Sequence, residues 1–384
     1  MLGINNNNRY NDYYLVNDLD MDEIGFDERP KKRCSRRCKI VLITVFLCTL
    51  AIIFLIIFVG LPLIFMNFIT IQRILIFTHF NLQTTEEYFE TYRLPAFKNK
   101  YITVKDLDGS TNQSLGAWQM LPVELAYKAL HDEYFDYEKA LLNSNYSVLI
   151  YFHGTGEDRS DNIRQYQLFR YYFHVIAFDY RSKYLYNYNQ LWLRPLNTVF
   201  AEGLLSEKEV VNDCVQLYKW VLNKTNSPIY IWGHSLGSAL ATSTVAELEN
   251  SKIYSKGLIL ESAFTSLHDE LYVHPYGKIF SWLPWFAVTI LNPLHKNGFI
   301  FNTASNILNI SCPIMILHAQ DDSIVPYQFG EKLYEIASNR SEEAHNTTFF
   351  YMFNKTLDYN HFFHLPGSIS CILYNGLLDC CGKR

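Results

Sequence analysis

The strongest pattern along the chain is an apolar run. No residue from Ile40 to Gln72 carries a charge, and residues 40–66 are almost purely apolar, with Pro62 near the far end. A bilayer core about 30 Å thick needs about 20 such residues in a helix. Residues 40–66 therefore read as a transmembrane helix with room for a tilt or a kink. The run starts too far in, and is too long, for the hydrophobic region of a cleaved leader. Arg29, Lys31, Lys32, Arg33, Arg36, Arg37 and Lys39 precede it, and the first basic residue after it is Arg73. Basic flanks resist translocation, so residues 1–39 are expected in the cytosol and the rest of the chain in the lumen or outside the cell. That is a single-pass type II signal-anchor. Residues 1–39 begin Asn-rich and acidic, end in the basic cluster, and read as a disordered tail.

Beyond a connection over residues 67–100, short apolar β-rich runs alternate with helical periodicity. Residues 101–104, 117–121, 148–152, 175–180, 229–232, 258–260, 314–317 and 348–352 read as strands. Ser206-Glu207-Lys208-Glu209 has the form of a capping box, with Ser206 as N-cap and Glu209 reaching back. It opens a helix whose apolar positions, from Val210 through Cys214 and Leu217 to Val221, keep one face. A further helix is expected from Leu236 to about Glu249. Continuously apolar strands separated by helices imply an α/β fold, a mostly parallel sheet with helices on both faces. Residues 101–384 form that domain, with an aromatic insertion over about 268–305 that carries Tyr272, Tyr276, Phe280, Trp282, Trp285, Phe286, Phe299 and Phe301.

Composition narrows the function. Of 384 residues 49% are hydrophobic and 18% charged, enough apolar surface for a sizeable core. Lys and Arg number 33 against 38 Asp and Glu, a net charge of −5, which leaves no general basic face for nucleic acid. Seven Asn-x-Ser/Thr sequons, at Asn112, Asn145, Asn223, Asn309, Asn339, Asn346 and Asn354, all follow the apolar run and none precedes it. Their one-sided placement favours a glycosylated, secretory-pathway surface. Cys214, Cys312, Cys371, Cys380 and Cys381 fall on the same side, with room for one or two disulfides and no zinc-like spacing.

Chemistry is concentrated after residues 229–232, where the chain reads Gly233-His234-Ser235-Leu236-Gly237. In a G-x-S-x-G turn between a strand and a helix, the glycines let neighbouring backbone approach and the serine hydroxyl is lifted above the sheet edge. Ser235 is the candidate nucleophile, and His234 reads as a packing residue of the turn. In this arrangement the acid follows a later strand and the histidine comes last. After residues 314–317 stand Asp321 and Asp322, and the spacing of Asp322 to Val325-Pro326 favours it over Asp321. After the last strand stand His361 and His364, and Tyr359-Asn360-His361 favours His361. The oxyanion hole is expected from the backbone N–H of Leu236 and that of Thr155, in the loop His153-Gly154-Thr155-Gly156. Such a set acts unaided, so no cofactor and no metal is expected.

These segments, together with Leu258-Ile259-Leu260-Glu261-Ser262-Ala263-Phe264-Thr265 and Ile310-Ser311-Cys312-Pro313-Ile314-Met315-Ile316-Leu317, closely resemble the membrane-anchored lysophosphatidylserine lipases of the α/β-hydrolase-domain group. The resemblance covers roughly residues 101–373, and the anchor agrees with it. It implies an α/β-hydrolase fold and a lumen-facing serine hydrolase of the endoplasmic reticulum membrane; on the residues alone the cell surface stays open as the alternative. The substrates it implies are lysophosphatidylserine and monoacylglycerols. Position by position it places the nucleophile on Ser235, the acid on Asp322 and the base on His361. The family's glycine-rich turn is here Asp179-Tyr180-Arg181-Ser182. An aromatic insertion over the catalytic edge suits an acyl tunnel or a face dipping into the bilayer, while ordinary covering helices would use the same residues. Two other readings stay open on these residues alone: a catalytically silent binding or adhesion protein of the same shell, and a thioesterase or peptidase on the same machinery.

Overall fold

The expected strands all enter one sheet. A computed structural model of the chain describes residues 36–77, 96–181, 205–342 and 344–362. The chain divides into two units, Met1–Leu55 and Ile56–Arg384. In the first, helix α1 (Arg36–Leu55) has no buried residue. It belongs to the helical run Arg36–Asn67, the one helix among the described residues long and apolar enough to cross a membrane.

The second unit opens with a wider π-helical turn at Ile56–Gly60, then α2 (Leu61–Asn67) and α3 (Ile69–Phe77). Its eight-stranded sheet has the order β1-β2-β4-β3-β5-β6-β7-β8. The strands are β1 (Phe97–Lys105), β2 (Asn112–Met120), β3 (Ser147–Phe152), β4 (Phe173–Phe178), β5 (Ile229–His234), β6 (Gly257–Glu261), β7 (Ile314–Ala319) and β8 (Thr348–Phe353). The β1–β2 and β2–β4 pairs are antiparallel and the others parallel. This is the α/β-hydrolase fold.

The unbroken apolarity of the inner strands follows from burial on both faces. Ile229 and Ile231 of β5 join the core on one side of the sheet, and Tyr230 and Trp232 the core on the other. Helices α4 (Glu207–Leu222) and α5 (Leu236–Asn250) cover the first side. The insertion after β6 forms a cap of α6 (Leu267–Val273), α7 (Pro275–Ser281), a π-helical turn Ala287–Leu291 and α8 (Asn292–Lys296). Helix α9 (Gln328–Ser338) lies between β7 and β8 in sequence.

Several expectations need correction. The connection over 67–100 contains α3 and the start of β1, so the first strand of the sheet begins before residue 101. The fourth strand ends at Phe178 and not at 180, because Tyr180 and Arg181 leave the ladder for polar partners. Ser206 does cap α4, accepting from the Glu209 N–H at 3.3 Å. Glu209 does not reach back. Its carboxylate accepts from the Leu107 N–H at 3.3 Å and pairs with Arg181 at 3.2 Å, a buried cation outweighing a neutral N–H. Cys214 and Cys312 are free, buried thiols, which removes them from any disulfide. Cys371, Cys380 and Cys381 lie outside the described residues, as does His364.

Candidate active site

In parallel sheets of this kind ligands gather at the carboxyl ends of the strands, and the residues singled out above all leave those ends. Thr155 follows β3, Ser235 follows β5, Asp322 follows β7 and His361 follows β8. Ser235 holds φ 52° and ψ −119°, a region costly for a side chain-bearing residue. Its neighbours explain why the corner is so tight. A Cβ at Gly233 would run into the Gly237 carbonyl and the Ser238 Cα, and one at Gly237 into the Phe152 and His153 carbonyls. The corner is pinned by the Ser235 N–H donating to Glu261 O at 2.9 Å.

The structure brings three of the expected side chains together. His361 Nε2 stands 3.1 Å from Ser235 Oγ. Its Nδ1 stands 3.0 and 2.9 Å from the two oxygens of Asp322. With Nδ1–H donating to Asp322, Nε2 is free to accept from the serine hydroxyl. Asp322 Oδ1 also accepts from the N–H groups of Ile324 (3.0 Å) and Val325 (2.8 Å). Burial works against its charge, but hydrogen bonds from His318 and His361 outweigh burial and hold the carboxyl well below its ordinary range. His361 titrates below its ordinary value, first because it is buried and further because the His234 charge opposes protonation; Asp322 only partly offsets this. Asp321 serves differently: its Oδ2 accepts from the Asn360 N–H at 3.0 Å, fixing the backbone next to His361. Asn360, at φ 51°, in turn accepts from the Ser323 N–H and hydroxyl at 3.1 and 2.8 Å.

The loop after β3 lies against the same corner. A Cβ on Gly154 would sit 3.4 Å from the Ser235 Cβ. The Gly154 N–H is engaged by Glu157 Oε2 at 2.7 Å, and Thr155 follows it, exposed. Leu236 is the first residue of α5, where an N–H has no intrahelical acceptor. Tyr180 braces the loop by donating its hydroxyl to His153 O at 2.8 Å.

One functional feature escaped sequence reasoning. His234 is no mere packing residue. Its Nδ1 is 3.6 Å from Glu157 Oε1, and its Nε2–H donates to the His361 carbonyl at 3.1 Å. Burial alone would lower the His234 pKa, but Glu157, and more weakly Glu261, raise it to about 9, while Glu157, despite its own burial, is held at about 2. The two form a buried ion pair that ties the loop after β3, the serine corner and the histidine loop together. Behind them Glu261 accepts from Trp232 Nε1–H (2.6 Å) and Gln165 Nε2–H (3.1 Å). Only the adjacency of His234 to the serine hinted at this; Glu157 stands far away in sequence. Among the described residues no group of His, Cys, Asp and Glu is placed to hold a metal ion.

No family model matches the chain. The lysophosphatidylserine lipase ABHD12 of Danio rerio is 31% identical over 373 residues, which cover 93% of this chain and 90% of that protein. The Xenopus tropicalis protein of the same name is 33% identical over 253 residues, 65% of this chain and 61% of that protein. A Pyrococcus furiosus esterase of known structure is similar with a TM-score of 0.46 at 14% identity, over 80% of this chain and 95% of that one. With its similarity to the Danio rerio protein running through nine-tenths of both sequences, the chain belongs to the ABHD12 family of α/β-hydrolases and is a carboxylic ester hydrolase.

Proposed function

We propose that the chain is a membrane-anchored serine lipase that removes the acyl group of lysophospholipids, lysophosphatidylserine foremost, and of monoacylglycerols. The observation that carries this reading is the unbroken path Ser235 Oγ, His361, Asp322, at 3.1 and 2.9 Å. Neutral His361 accepts the Ser235 proton at Nε2 as Oγ attacks the ester carbonyl carbon. The N–H groups of Leu236 and Thr155 receive the charge that builds on the carbonyl oxygen, a contribution of roughly 3–4 kcal/mol per donor in comparable enzymes. His361 then returns the proton to the departing glycerol oxygen, leaving an acyl ester on Ser235. Water adds to that ester with His361 again as base, and the fatty acid leaves as Ser235 regains its proton. Asp322 keeps the imidazole in the required tautomer and stabilises its transient charge.

The anchor places this chemistry beside amphiphilic substrates, and we assign the catalytic domain to the lumenal side, in the endoplasmic reticulum membrane. Two features support that side: the basic flank before the apolar run, and the sequons, whose seven asparagines are all exposed. Activity of the purified full chain against lysophosphatidylserine, other lysophospholipids, monoacylglycerols and acyl thioesters tests the substrate assignment. Preference for the first is expected; selective thioester cleavage would overturn it. An endoglycosidase-sensitive mobility shift is expected of the cellular protein, and its absence from every sequon would argue for the opposite side.

A further inference from the structure

The far end of the apolar run is built into the catalytic unit. A hydrocarbon layer of about 30 Å takes about 20 helical residues, so a span starting at Ile40 reaches its far boundary near Val59. Phe58 sits at that boundary. Its ring packs against Phe280 and Trp282 of the cap, with centroids 5.9 and 5.6 Å apart. The α-helical partner of the Phe58 carbonyl would be residue 62, which is proline and has no N–H to give. The cap provides a donor instead: Trp285 Nε1–H reaches Phe58 O at 2.8 Å. In a membrane such a carbonyl must be satisfied from within the protein, and Trp285 of the cap does so.

Past this point much of the outward surface is apolar, with Asn67 exposed and Arg73 half-exposed among it. On α3, Ile74 and Leu75 are exposed, and on the cap Tyr276, Ile279, Trp282 and Val288 are 73, 48, 60 and 58% exposed. From His274 to Leu294 the one Lys, Arg, Asp or Glu is Lys278, whose stem is long enough to carry its charge to the headgroups. Asn297 Nδ2–H donates to the buried Gln72 Oε1 at 2.7 Å, and Gln72 Nε2–H to Phe65 O at 2.8 Å, so α2, α3 and the end of the cap are joined by polar bonds turned inward. An exposed, largely apolar face in the unit that follows a span along the chain, carrying aromatic residues and few charges, has the composition of an interfacial membrane surface.

We propose that the outer face of the cap, with α3, is embedded in the membrane leaflet on the catalytic side, so that single-chain lipids pass from the bilayer to Ser235 without crossing bulk water. The occupant of this face is the bilayer itself. The cap follows β6 directly, and Glu270 of α6 and His274 at its end, both buried or half-buried, stand close enough to the triad that, after burial, the charges of Asp322 and His361 act on their titration. This inference rests on the anchored-lipase reading above and specifies how its substrate arrives.

The test uses the full chain reconstituted in vesicles whose lipids carry bromine near the headgroup end of the acyl chain. Tryptophan emission is expected to be quenched, and most of the quenched component to disappear in Trp282→Phe; the same quenching in both proteins would overturn the placement. In the same vesicles Ile279→Glu should slow hydrolysis of embedded lysophospholipid about tenfold, as a charge at the interface loosens the face. Cleavage of soluble p-nitrophenyl butyrate should be unchanged. Equal rates on both substrates with and without the substitution would also overturn it. If the wild type cleaves neither ester, the lipase reading fails while the quenching still decides where the cap lies.

Discussion

The serine corner and the cap solve opposite problems with the same chain. At the corner the polar groups are turned on one another: Asp322 takes His361 and two backbone N–H groups, Glu157 takes Gly154 and His234, and Glu261 takes Trp232 and Gln165. In the cap, large apolar side chains stand outward, and Glu270 keeps both carboxyl oxygens buried without a hydrogen-bond partner among the described residues. Preorganised dipoles lower a barrier only if they need not rearrange, so the corner is rigid and closed upon itself. A surface that meets disordered lipid needs area and low charge. Chemistry is thus concentrated in a few fixed contacts, and substrate access in a broad face.

The sharpest way to break the comparison is at the proposed nucleophile. Ser235→Ala should cut turnover by at least ~10⁴-fold with little change in thermal stability, as for removal of the reacting oxygen in other triads. Asp322→Asn should come next, about 10³–10⁴-fold in kcat, because the amide favours the wrong imidazole tautomer. Steady-state kinetics on lysophospholipid micelles check both.

The His234–Glu157 pair ranks third. Removing one partner leaves a buried charge alone, so Glu157→Gln should cost about 3–5 kcal/mol of stability and loosen the His361 loop. The paired change His234→Leu with Glu157→Leu should recover much of the stability but not the rate, since the tie to the His361 carbonyl is gone. Thermal unfolding and kcat, measured together, separate the two effects.

Proton dependence follows with smaller effects. As the proposed base His361 must be neutral, and burial lowers its folded value below the ordinary 6.5, so kcat/KM should still be held at pH 6.5 and fall with a midpoint lower than that. A value at or above 6.5 in the pH profile would contradict the geometry. The folded value of His234 is raised, to about 9, so its stabilisation is complete below about 6.5 and is lost as pH rises through about 9. Unfolding temperatures of wild type and the double leucine variant should therefore converge above pH 9.

Smallest is the effect in the cap. Burial, and then the Asp322 charge, raise Glu270 to about 8, so the acid form is the one the fold tolerates. Its contribution is present below about 4.5 and is lost as pH rises through about 8. Glu270→Gln should be neutral at pH 5 and stabilising by about 1–3 kcal/mol at pH 9, as read from thermal unfolding.

What could be read from the sequence tracks how local each signal is. The strands are apolar over consecutive residues, and the Ser235 turn is a five-residue word, so both were legible. Asp322 and His361 could be named because order along the chain and short local patterns carry them. Asp321 looked like a competitor to Asp322 because their roles differ by one peptide, and only the fold shows Asp321 holding the Asn360 N–H. Glu209 and His234 were misread for a common reason: their partners, Arg181 and Glu157, are set by tertiary packing and leave no periodic trace. The aromatic insertion was visible as composition, but which rings point outward was not. Phe286 is buried within the cap against Tyr272, and Phe299 and Phe301 against Phe77 of α3, while Tyr276 and Trp282 are exposed, a division made by tertiary packing.

The central claim is that Ser235 carries the acyl group during turnover. Peptide mapping after treatment of the active full chain with a fluorophosphonate tests it most directly. The account predicts one stoichiometric adduct, on Ser235, formed in parallel with loss of lysophospholipase activity and prevented by substrate. An adduct on another serine that tracks the loss of activity, or full inhibition with Ser235 unmodified, would contradict it.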